Sequence, residues 1–148
     1  MKKASAIISG RELYCIVVGS KVLDVLRYMG EKNIGAVAVV DNLNDRKLRG
    51  IFSERDLLKR IVLPGLDPKQ TSIDDVMTKN VAVGQGHETY DVCLETMKRI
   101  NSRHLPIVEG EKFIGMISIR DLMEVDIEDK DEEIKFMNAY IHDLPQKV

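Results

Sequence analysis

The sequence predicts an α/β fold made of two copies of one β-α-β-β-α unit. One observation is a repeated nine-residue motif. GIFSERDLL at residues 50–58 and GMISIRDLM at residues 115–123 share a Gly, a Ser, an Arg, an Asp and a Leu at an offset of 65. Another is that residues 22–41 align with residues 90–109 at an offset of 68. The offsets differ because the first copy has the longer polar loop, and loops are where repeated units tolerate insertions.

Each copy is expected to begin with a short strand followed by an amphipathic helix. The short strands are predicted near residues 13–18 and residues 81–83, where apolar residues cluster. The helix of the first copy is predicted from apolar residues at positions i, i+3, i+4 and i+7, namely Val22, Val25, Leu26 and Met29. The aligned helix of the second copy begins at Tyr90 and keeps Leu94 and Met97 in the same register.

Two more strands and a second helix complete the unit. The run Ala36–Val40 is short and partly β-branched, as expected of a buried strand. A further strand is predicted at residues 48–52 and again at residues 113–117, and each runs into a Ser that opens a helix. Between the copies, LPGLDPKQT contains Pro and Gly and is typical of a linker, and residues 72–77 are expected to form a short helix. The expected boundaries are 10–62 for the first copy, 63–73 for the linker, 74–125 for the second copy and 126–148 for a C-terminal extension.

Composition and charge exclude several classes of protein. The chain carries 22 basic and 24 acidic residues, a net charge of −2, and has no basic stripe of the kind that binds a phosphate backbone, so nucleic acid is not an expected partner. No apolar stretch is long enough to span a membrane, and residues 4–8 are too few for the apolar core of a signal peptide. We therefore expect a cytoplasmic protein, in which Cys15 and Cys93 are buried thiols in a reducing compartment.

The sequence offers no pattern for catalysis or for a metal site. It lacks a GxSxG nucleophile motif, a phosphate-binding P-loop and a dinucleotide-binding glycine fingerprint. His87, His104 and His142 are far apart in the chain, with neither an HxxxH pair nor a CxxC pair to complete a metal site. We therefore expect no enzyme, no metal and no catalytic cofactor.

The repeated Ser-x-x-Asp has two physical interpretations. In the first, Ser53 and Ser118 cap a helix, and Asp56 and Asp121 complete a capping box that stabilises each helix by about 1 kcal/mol. In the second, the same helix start and its Ser hydroxyl bind a phosphate, while the Asp carboxylate accepts hydrogen bonds from the two hydroxyls of a ribose. The residues alone favour capping, because the unrelated stretch at 72–75 also fits the pattern.

The sequence also resembles the CBS domain family, whose members often carry a tandem pair called a Bateman module. The resemblance rests on GIFSERD and GMISIRD, on DDVMTKNV at residues 74–81 and on RHLPIVEGEKFIGMIS at residues 103–118, and it covers about residues 12–125. It implies two α/β units packed sheet to sheet about a pseudo-two-fold axis. It further implies clefts that bind adenosine nucleotides in many members, pairing of two modules into a homodimer, and regulation of an effector protein in place of catalysis.

The resemblance assigns expected roles in binding an adenine nucleotide such as AMP, ADP or ATP as a regulatory ligand. Asp56 and Asp121 are expected to hold the ribose. The expected phosphate contacts are Ser53, Arg55, Arg103, His104, Ser118 and Arg120. The backbone around residues 13–16 and 81–83 is expected to edge the base, which places Val81 and Val83 in the site, and Pro106 belongs to the same RHLP segment as the basic contacts.

The two clefts are not expected to be equivalent. Where the second copy has RHLP at residues 103–106, the aligned residues 35–38 of the first copy are GAVA, without a cation or a Pro. We therefore expect one cleft to hold phosphate better than the other. An alternative from a different functional class is a ligand-free structural or protein-interaction module, in which side chains close the clefts and Ser-x-x-Asp only caps helices.

The C-terminal residues are expected to form a helix after an acidic stretch. DIEDKDEE at residues 126–133 precedes four apolar residues on one helical face, namely Ile134, Met137, Ile141 and Leu144. Two interpretations are open: the helix docks on the module or on its dimer mate, or it recognises another protein.

Overall fold

The computed structural model describes the backbone of residues 2–143 and the side chains of residues 2–139, except those of residues 133 and 136. Two three-stranded sheets and their helices account for most of this part of the chain. The elements of the first half are α1 (Ala4–Ile8), β1 (Cys15–Val17), α2 (Val22–Lys32), β2 (Ala36–Val40), β3 (Leu48–Ser53) and α3 (Glu54–Asp56), which continues as a π-helical segment (Leu57–Val62). Those of the second half are a 3-10 helix (Ile73–Asp75), β4 (Gly84–Gln85), α4 (Tyr90–Ile100), β5 (His104–Glu109), β6 (Lys112–Ser118) and α5 (Ile119–Asp143).

The two sheets have the same topology. In the first, β1 pairs with β2 in parallel and β2 pairs with β3 in antiparallel fashion, and in the second β4, β5 and β6 repeat this order. The sheets face each other across an apolar layer that includes Ala38, Val40 and Phe113. The predicted α/β fold, with two repeated units packed sheet to sheet about a pseudo-two-fold axis, is confirmed.

The helices that follow the short strands bury the stripe that the sequence predicts. In α2, Val22, Val25 and Met29 are buried, and in α4 the aligned Cys93 and Met97 are buried. Both helices end at an Asn in the left-handed conformation, Asn33 with φ 55° and Asn101 with φ 52°. Asn adopts this conformation more readily than most residues, so the repeated Asn is the stop signal of both helices.

The prediction of a strand at residues 81–83 is wrong, because the strand of this region, β4, begins at Gly84. The two residues of β4, Gly84 and Gln85, pair with Ile107 and Val108 of β5. Residues 81–83 have no regular structure and are half-buried, because they line cavities instead of pairing with a neighbouring strand. Apolar residues that face a cavity have the same sequence pattern as a strand, which explains the error.

Each sheet is covered by a short helix that belongs to the other half of the chain. Helix α1 packs Ala4, Ile7 and Ile8 into the core of the second copy, and the backbone N–H of Tyr90 donates to the carbonyl of Lys2 at 3.0 Å. In the same way, the 3-10 helix and the residues after it pack into the core of the first copy through Ile73, Val76 and Met77. The repeat alignment did not predict this exchange, which ties the two copies into one structure.

The exchange explains the Gly at the start of the repeated motif. A Cβ atom at Gly50 would lie 2.7 Å from the backbone oxygen of Thr78 and 2.8 Å from Sδ of Met77. A Cβ atom at Gly115 would lie 2.7 Å from Cδ1 of Ile8. Both glycines therefore leave the space in which the exchanged segment of the other copy crosses the strand.

The C-terminal helix differs from the prediction in its extent and its packing. Helix α5 runs without interruption from Ile119 to Asp143, so the acidic stretch at residues 126–133 is part of the helix and does not precede it. Ile134 and Met137 are exposed, so these two side chains do not dock on the module of their own chain. The side chain of Ile141 and the whole of Leu144 lie outside the described residues.

Candidate functional site

The first Ser-x-x-Asp motif forms a complete capping box where β3 becomes α3. The hydroxyl of Ser53 accepts a hydrogen bond from the backbone N–H of Asp56 at 3.4 Å, and Oδ2 of Asp56 accepts one from the backbone N–H of Ser53 at 3.0 Å. Asp56 is only 8% exposed. The capping interpretation of this motif is confirmed, and the box holds the carboxylate in one orientation.

The other oxygen of Asp56 faces residues 73–78, the segment of the second copy that packs into the core of the first copy. Oδ1 accepts a hydrogen bond from Oγ1 of Thr78 at 3.1 Å, and Nε of Arg60 lies 3.6 Å away. Thr78 stands inside the predicted DDVMTKNV stretch, but its role was not predicted from the sequence. A Thr near the start of the second copy does not by itself indicate a contact with Asp56, because the two residues are 22 positions apart in the sequence.

A cleft with a volume of about 510 Å³ opens beside this carboxylate. Its lining combines the motif of the first copy with residues of the second copy. The expected site residues that line it are Ser53, Arg55, Asp56, Val81, Arg103 and His104. We call it the first cleft.

The second Ser-x-x-Asp motif has the same capping geometry and a different partner. The backbone N–H of Ser118 donates to Oδ2 of Asp121 at 2.8 Å, and the backbone N–H of Asp121 donates to the hydroxyl of Ser118 at 3.1 Å. Arg11 then contacts both carboxylate oxygens of Asp121, with Nη1 to Oδ2 and Nη2 to Oδ1 each at 3.0 Å. Arg11 was not among the predicted site residues, because an isolated Arg in a loop belongs to no motif.

A second cleft, with a volume of about 630 Å³, opens beside Asp121. Leu13 and Tyr14 of the first copy line it, whereas Cys15 and Ile16, the rest of the segment expected to edge the base, do not. The expected site residues in its lining are Arg103, His104, Ser118, Arg120 and Asp121. Like the first cleft, it is made of residues from both copies.

Arg103 and His104 line both clefts, which changes the expected asymmetry. They lie at the start of β5, between the two carboxylates, and Gly35 at the start of β2 also lines both clefts. The RHLP segment therefore does not belong to one cleft alone. The difference between the clefts lies in the partners of the two carboxylates, Thr78 for Asp56 and Arg11 for Asp121.

His104 is expected to be neutral at pH 7. Burial of the imidazole lowers its pKa below the ordinary value, and the positive charge of Arg103 acts in the same direction. The negative charges of Glu54 and Asp121 act in the opposite direction without reversing the shift. Arg103 is therefore the permanent cation at this position, and the neutral imidazole of His104 can form a hydrogen bond without adding charge.

Two of the expected site residues do not line either cleft. Val83 lines a separate cavity at the opposite end of β3, near Lys47 and Arg49. Pro106 is buried in β5 opposite Met116 and lines neither cleft. Val81 lines both the separate cavity and the first cleft.

The described part of the chain shows neither a metal cluster nor a membrane-spanning helix. Among the described residues, no group of three or more His, Cys, Asp or Glu side chains is placed to hold a metal ion. None of the helices in this part is long and apolar enough to cross a membrane. Cys93 is a buried thiol whose pKa burial raises to about 11, with the charges of Glu88 and Asp91 adding to the effect.

Comparison with known sequences identifies the family. The sequence model of the CBS domain matches this chain twice, at residues 5–63 and residues 73–128. The chain belongs to the CBS domain family. A relative with the same domain, CBSX3 of Arabidopsis thaliana, is named as mitochondrial and is 32% identical over 143 residues, which cover 95% of this chain and 69% of the relative.

Solved CBS structures have the same fold. A CBS-domain protein from Burkholderia ambifaria superimposes with a TM-score of 0.78 at 34% identity, covering 86% of this chain and 96% of that one. The CBS-domain protein PAE2072 of Pyrobaculum aerophilum, solved in complex with AMP, superimposes with a TM-score of 0.69 at 22% identity, covering 81% of this chain and 89% of that one. At such low identity the second likeness shows the shared fold alone.

Proposed function

We propose that this protein is a regulatory module that senses an adenine nucleotide bound in the clefts between its two CBS copies. The observation that carries the proposal is the pairing in the first cleft of a buried, oriented carboxylate with cations from both copies. Asp56 is fixed by its capping box, while Arg55 and Arg103 line the same cavity. A family relative of the same fold is solved with AMP, which supports an adenine nucleotide as the ligand class.

Each part of a nucleotide has a matching group in the first cleft. Oδ1 of Asp56 has one lone pair beyond the one that Thr78 uses and accepts a hydrogen bond from one ribose hydroxyl. The second ribose hydroxyl binds Oδ2 once the neutral hydroxyl of Ser53, which donates to Oδ2 at 3.2 Å, turns away from it. Arg55 and Arg103 provide the charge that a phosphate requires. The hydroxyl of Ser53 adds a donor to the phosphate when it releases Oδ2 of Asp56. Val81, Ala82 and Ile51 provide an apolar edge for the base.

A ligand panel tests the proposal directly. AMP, ADP, ATP, NAD and S-adenosylmethionine are titrated in turn by thermal shift and by calorimetry, with GMP and inorganic phosphate as controls. At a hundredfold excess over Kd, the active ligand stabilises the fold by about 2.7 kcal/mol and raises Tm by roughly 5–10 °C. If no adenine compound shifts Tm or produces heat, the proposal is wrong.

The alternative is a ligand-free structural module in which the motifs only cap helices. It requires that side chains close the clefts, whereas the two clefts have volumes of about 510 and 630 Å³. It also expects the loss of either motif to reduce stability without changing any ligand response. The same panel therefore separates the two functions, and the open clefts favour nucleotide binding.

The expected homodimer has a matching surface on the two helices that follow the motifs. Leu58 and Val62 in the first copy are more than half exposed, and so are Met123 and Ile127 at the positions 65 residues later. Exposed apolar pairs at equivalent positions are typical of an interface. Basic residues flank the first pair, at positions 59 and 60, and acidic residues flank the second, at positions 124, 126 and 128. This charge complementarity favours a second copy of the chain, bound with the first-copy helix of one protomer against the second-copy helix of the other.

Substitution at either pair is expected to dissociate the dimer. Leu58→Glu and Met123→Glu place a charge in the contact, and we expect each to weaken dimerisation at least about 30-fold, because a central apolar contact is worth about 2 kcal/mol. Sedimentation velocity over a concentration series measures this. Leu43→Glu is the control, because Leu43 is at least as exposed but lies in the polar loop between β2 and β3. A monomeric wild type, or variants that dimerise like the control, would contradict the proposal.

The cellular location and the effector remain predictions. A cytoplasmic location is the expectation from the sequence, while a relative that matches 95% of the chain is named as mitochondrial. The regulated effector is expected to be a separate protein. The acidic α5 is a surface on which such a protein could bind, and the dimer experiment shows how much of it two copies cover.

A further inference from the structure

The two clefts differ most in the groups that donate hydrogen bonds to their carboxylates, Asp56 and Asp121. In the second cleft, the guanidinium of Arg11 forms two parallel hydrogen bonds with Asp121, each 3.0 Å long. The Asp121 side chain is 17% exposed and that of Arg11 is 44% exposed, so the pair lies at the mouth of the cleft and is partly shielded from water. Such forked, charge-assisted pairs are among the strongest hydrogen bonds in proteins.

Among the described residues, the first cleft has no equivalent of this forked pair. All hydrogen bonds that Asp56 accepts come from neutral groups, namely the hydroxyl of Thr78 and the hydroxyl and backbone N–H of Ser53, and its nearest cation, Arg60, reaches it only at 3.6 Å. A ribose hydroxyl displaces a neutral hydroxyl more easily than it breaks a forked ion pair. Nη1 of Arg60 donates instead to the carbonyl oxygens of Val76 and Met77. The position 65 residues after Arg60 is Val125, which is buried, so the second copy draws its cation from a different part of the chain.

The pair leaves Asp121 with too few acceptor positions for a ribose. Oδ2 already accepts from Arg11 and from the backbone N–H of Ser118, which uses both of its lone pairs. Oδ1 accepts from Arg11 and retains one lone pair. Two ribose hydroxyls therefore cannot both bind Asp121 unless Arg11 moves away.

We propose that Arg11 is a built-in occupant of the second cleft and makes this cleft selective for ligands that carry an anionic group. A neutral nucleoside would have to break the Arg11–Asp121 pair and would leave the guanidinium without a partner. A nucleotide breaks the same pair but offers its phosphate to the released guanidinium. This selectivity rests on the proposed function, because it concerns the same class of ligand.

The surroundings of Arg11 suit such an exchange of partners. Arg103 and Arg120 line the same cleft, so a phosphate that enters it meets three arginines and one fixed carboxylate group at the mouth. Glu12 is the other acidic side chain in the lining, and it forms an ion pair with Lys32 at 3.5 Å. The cleft without its Arg11–Asp121 pair is therefore positively charged, which favours the anionic ligand.

The Arg11–Asp121 pair persists over the physiological pH range. Burial acts to raise the pKa of the Asp121 carboxyl, but hydrogen bonds from Arg11 and Ser118 and the charge of Arg11 outweigh it, so the pKa lies below its ordinary value. Asp121 is therefore ionised in the folded protein at neutral pH. The stabilisation from the pair is present above the ordinary carboxyl pKa and is lost as the pH falls through the lowered value.

Calorimetry with adenosine and with AMP tests the selectivity. We expect the wild type to bind adenosine at one site per chain and Arg11→Gln to bind it at two. We also expect the new site of Arg11→Gln to bind adenosine at least about 10-fold more tightly than the upper limit that the wild type sets for the second cleft, because one forked pair no longer opposes the nucleoside. Arg120→Gln is the matched control: it removes a cation from the same cleft, but Arg120 pairs with Glu124 and does not touch Asp121. It should not create a second adenosine site.

The possible failures can be told apart. If the wild type and all variants bind no adenine compound of the ligand panel, the proposed function is wrong and the selectivity falls with it. If they bind another nucleotide of the panel but neither AMP nor adenosine, the role of Arg11 is wrong and the proposed function stands. If adenosine binds but its stoichiometry is the same with and without Arg11, only the role of Arg11 is wrong. A ligand-free measurement completes the test: Arg11→Gln and Asp121→Asn should each lower the urea midpoint, and the double variant should lie close to the single ones. Additive shifts would show that the pair is not formed in solution and would overturn the proposal.

Discussion

Asp56→Ala is expected to lower the affinity of the first cleft for its nucleotide by about 10- to 100-fold, because hydrogen bonds to a charged group are worth about 1.5–3 kcal/mol. The carboxylate is 8% exposed and held by its own capping box, so it meets the ribose without reorientation. The affinity is measured by calorimetry, with the adenine compound that the ligand panel identifies. An unchanged affinity in a folded Asp56→Ala protein would exclude the ribose role.

Asp121→Ala is expected to have a smaller effect on nucleotide affinity, although its motif is the same. The carboxylate is already bound by Arg11, so its removal deprives the ligand of an acceptor and at the same time frees a guanidinium for the phosphate. The two changes oppose each other, and we expect the affinity of the second cleft to fall by less than about 3-fold. Equal losses in Asp56→Ala and Asp121→Ala would contradict the difference between the clefts.

Both substitutions also remove the Asp half of a capping box while the Ser cap stays, and this effect on stability needs its own control. Each is expected to reduce the free energy of unfolding by about 1 kcal/mol. Ser72→Ala removes the cap of the 3-10 helix, where the Ser72 hydroxyl accepts from the backbone N–H of Asp74, and Ser72 lines neither cleft. It should lower stability to a similar degree and leave nucleotide affinity unchanged.

The parts of the fold that the sequence predicted are those with local causes. The apolar stripes of α2 and α4 and the buried run of β2 are visible because a helix or a strand repeats its environment every few residues. The exchange of α1 and the 3-10 helix between the copies has no such period. Its trace in the sequence is a pair of glycines, Gly50 and Gly115, whose partners Met77 and Ile8 are distant along the chain.

The residues that line the candidate clefts were predicted where they belong to a repeated motif. Ser53, Asp56, Ser118 and Asp121 stand at the two clefts because the repeat offset and the capping pattern place them there. Sharing of the RHLP segment between the clefts was not predicted, because an alignment assigns each residue to one copy. Arg11 was missed for a related reason. It precedes the first recognisable element of its copy and acts 110 residues away, on the motif of the other one.

Gly50→Ala is expected to be among the most destabilising substitutions in the chain, because the added methyl group meets backbone that has no room to move. The Cβ atom would lie 2.7 Å from the carbonyl oxygen of Thr78, and that oxygen accepts the backbone N–H of Ile51 at 3.0 Å. Overpacking of this kind costs about 1–3 kcal/mol, and we expect a loss near 3 kcal/mol here. Urea unfolding monitored by circular dichroism measures it.

Two other glycines provide the comparison that isolates the cause. Gly115→Ala meets Ile8, whose Cδ1 atom can rotate away but whose Cβ atom, at 3.1 Å, must shift by a few tenths of an ångström, so we expect a smaller loss of about 1–2 kcal/mol. Gly30 lies in α2, where a Cβ atom would meet none of the described residues within 4 Å, so Gly30→Ala should raise stability by up to about 1 kcal/mol. If all three substitutions had the same effect, the exchanged segment would not be the reason for the repeated Gly.

The affinity of the first cleft should fall with Gly50→Ala as well, because the displaced Thr78 also holds Asp56 through its hydroxyl. The first Gly of the motif would then shape the ligand site through the segment that crosses it.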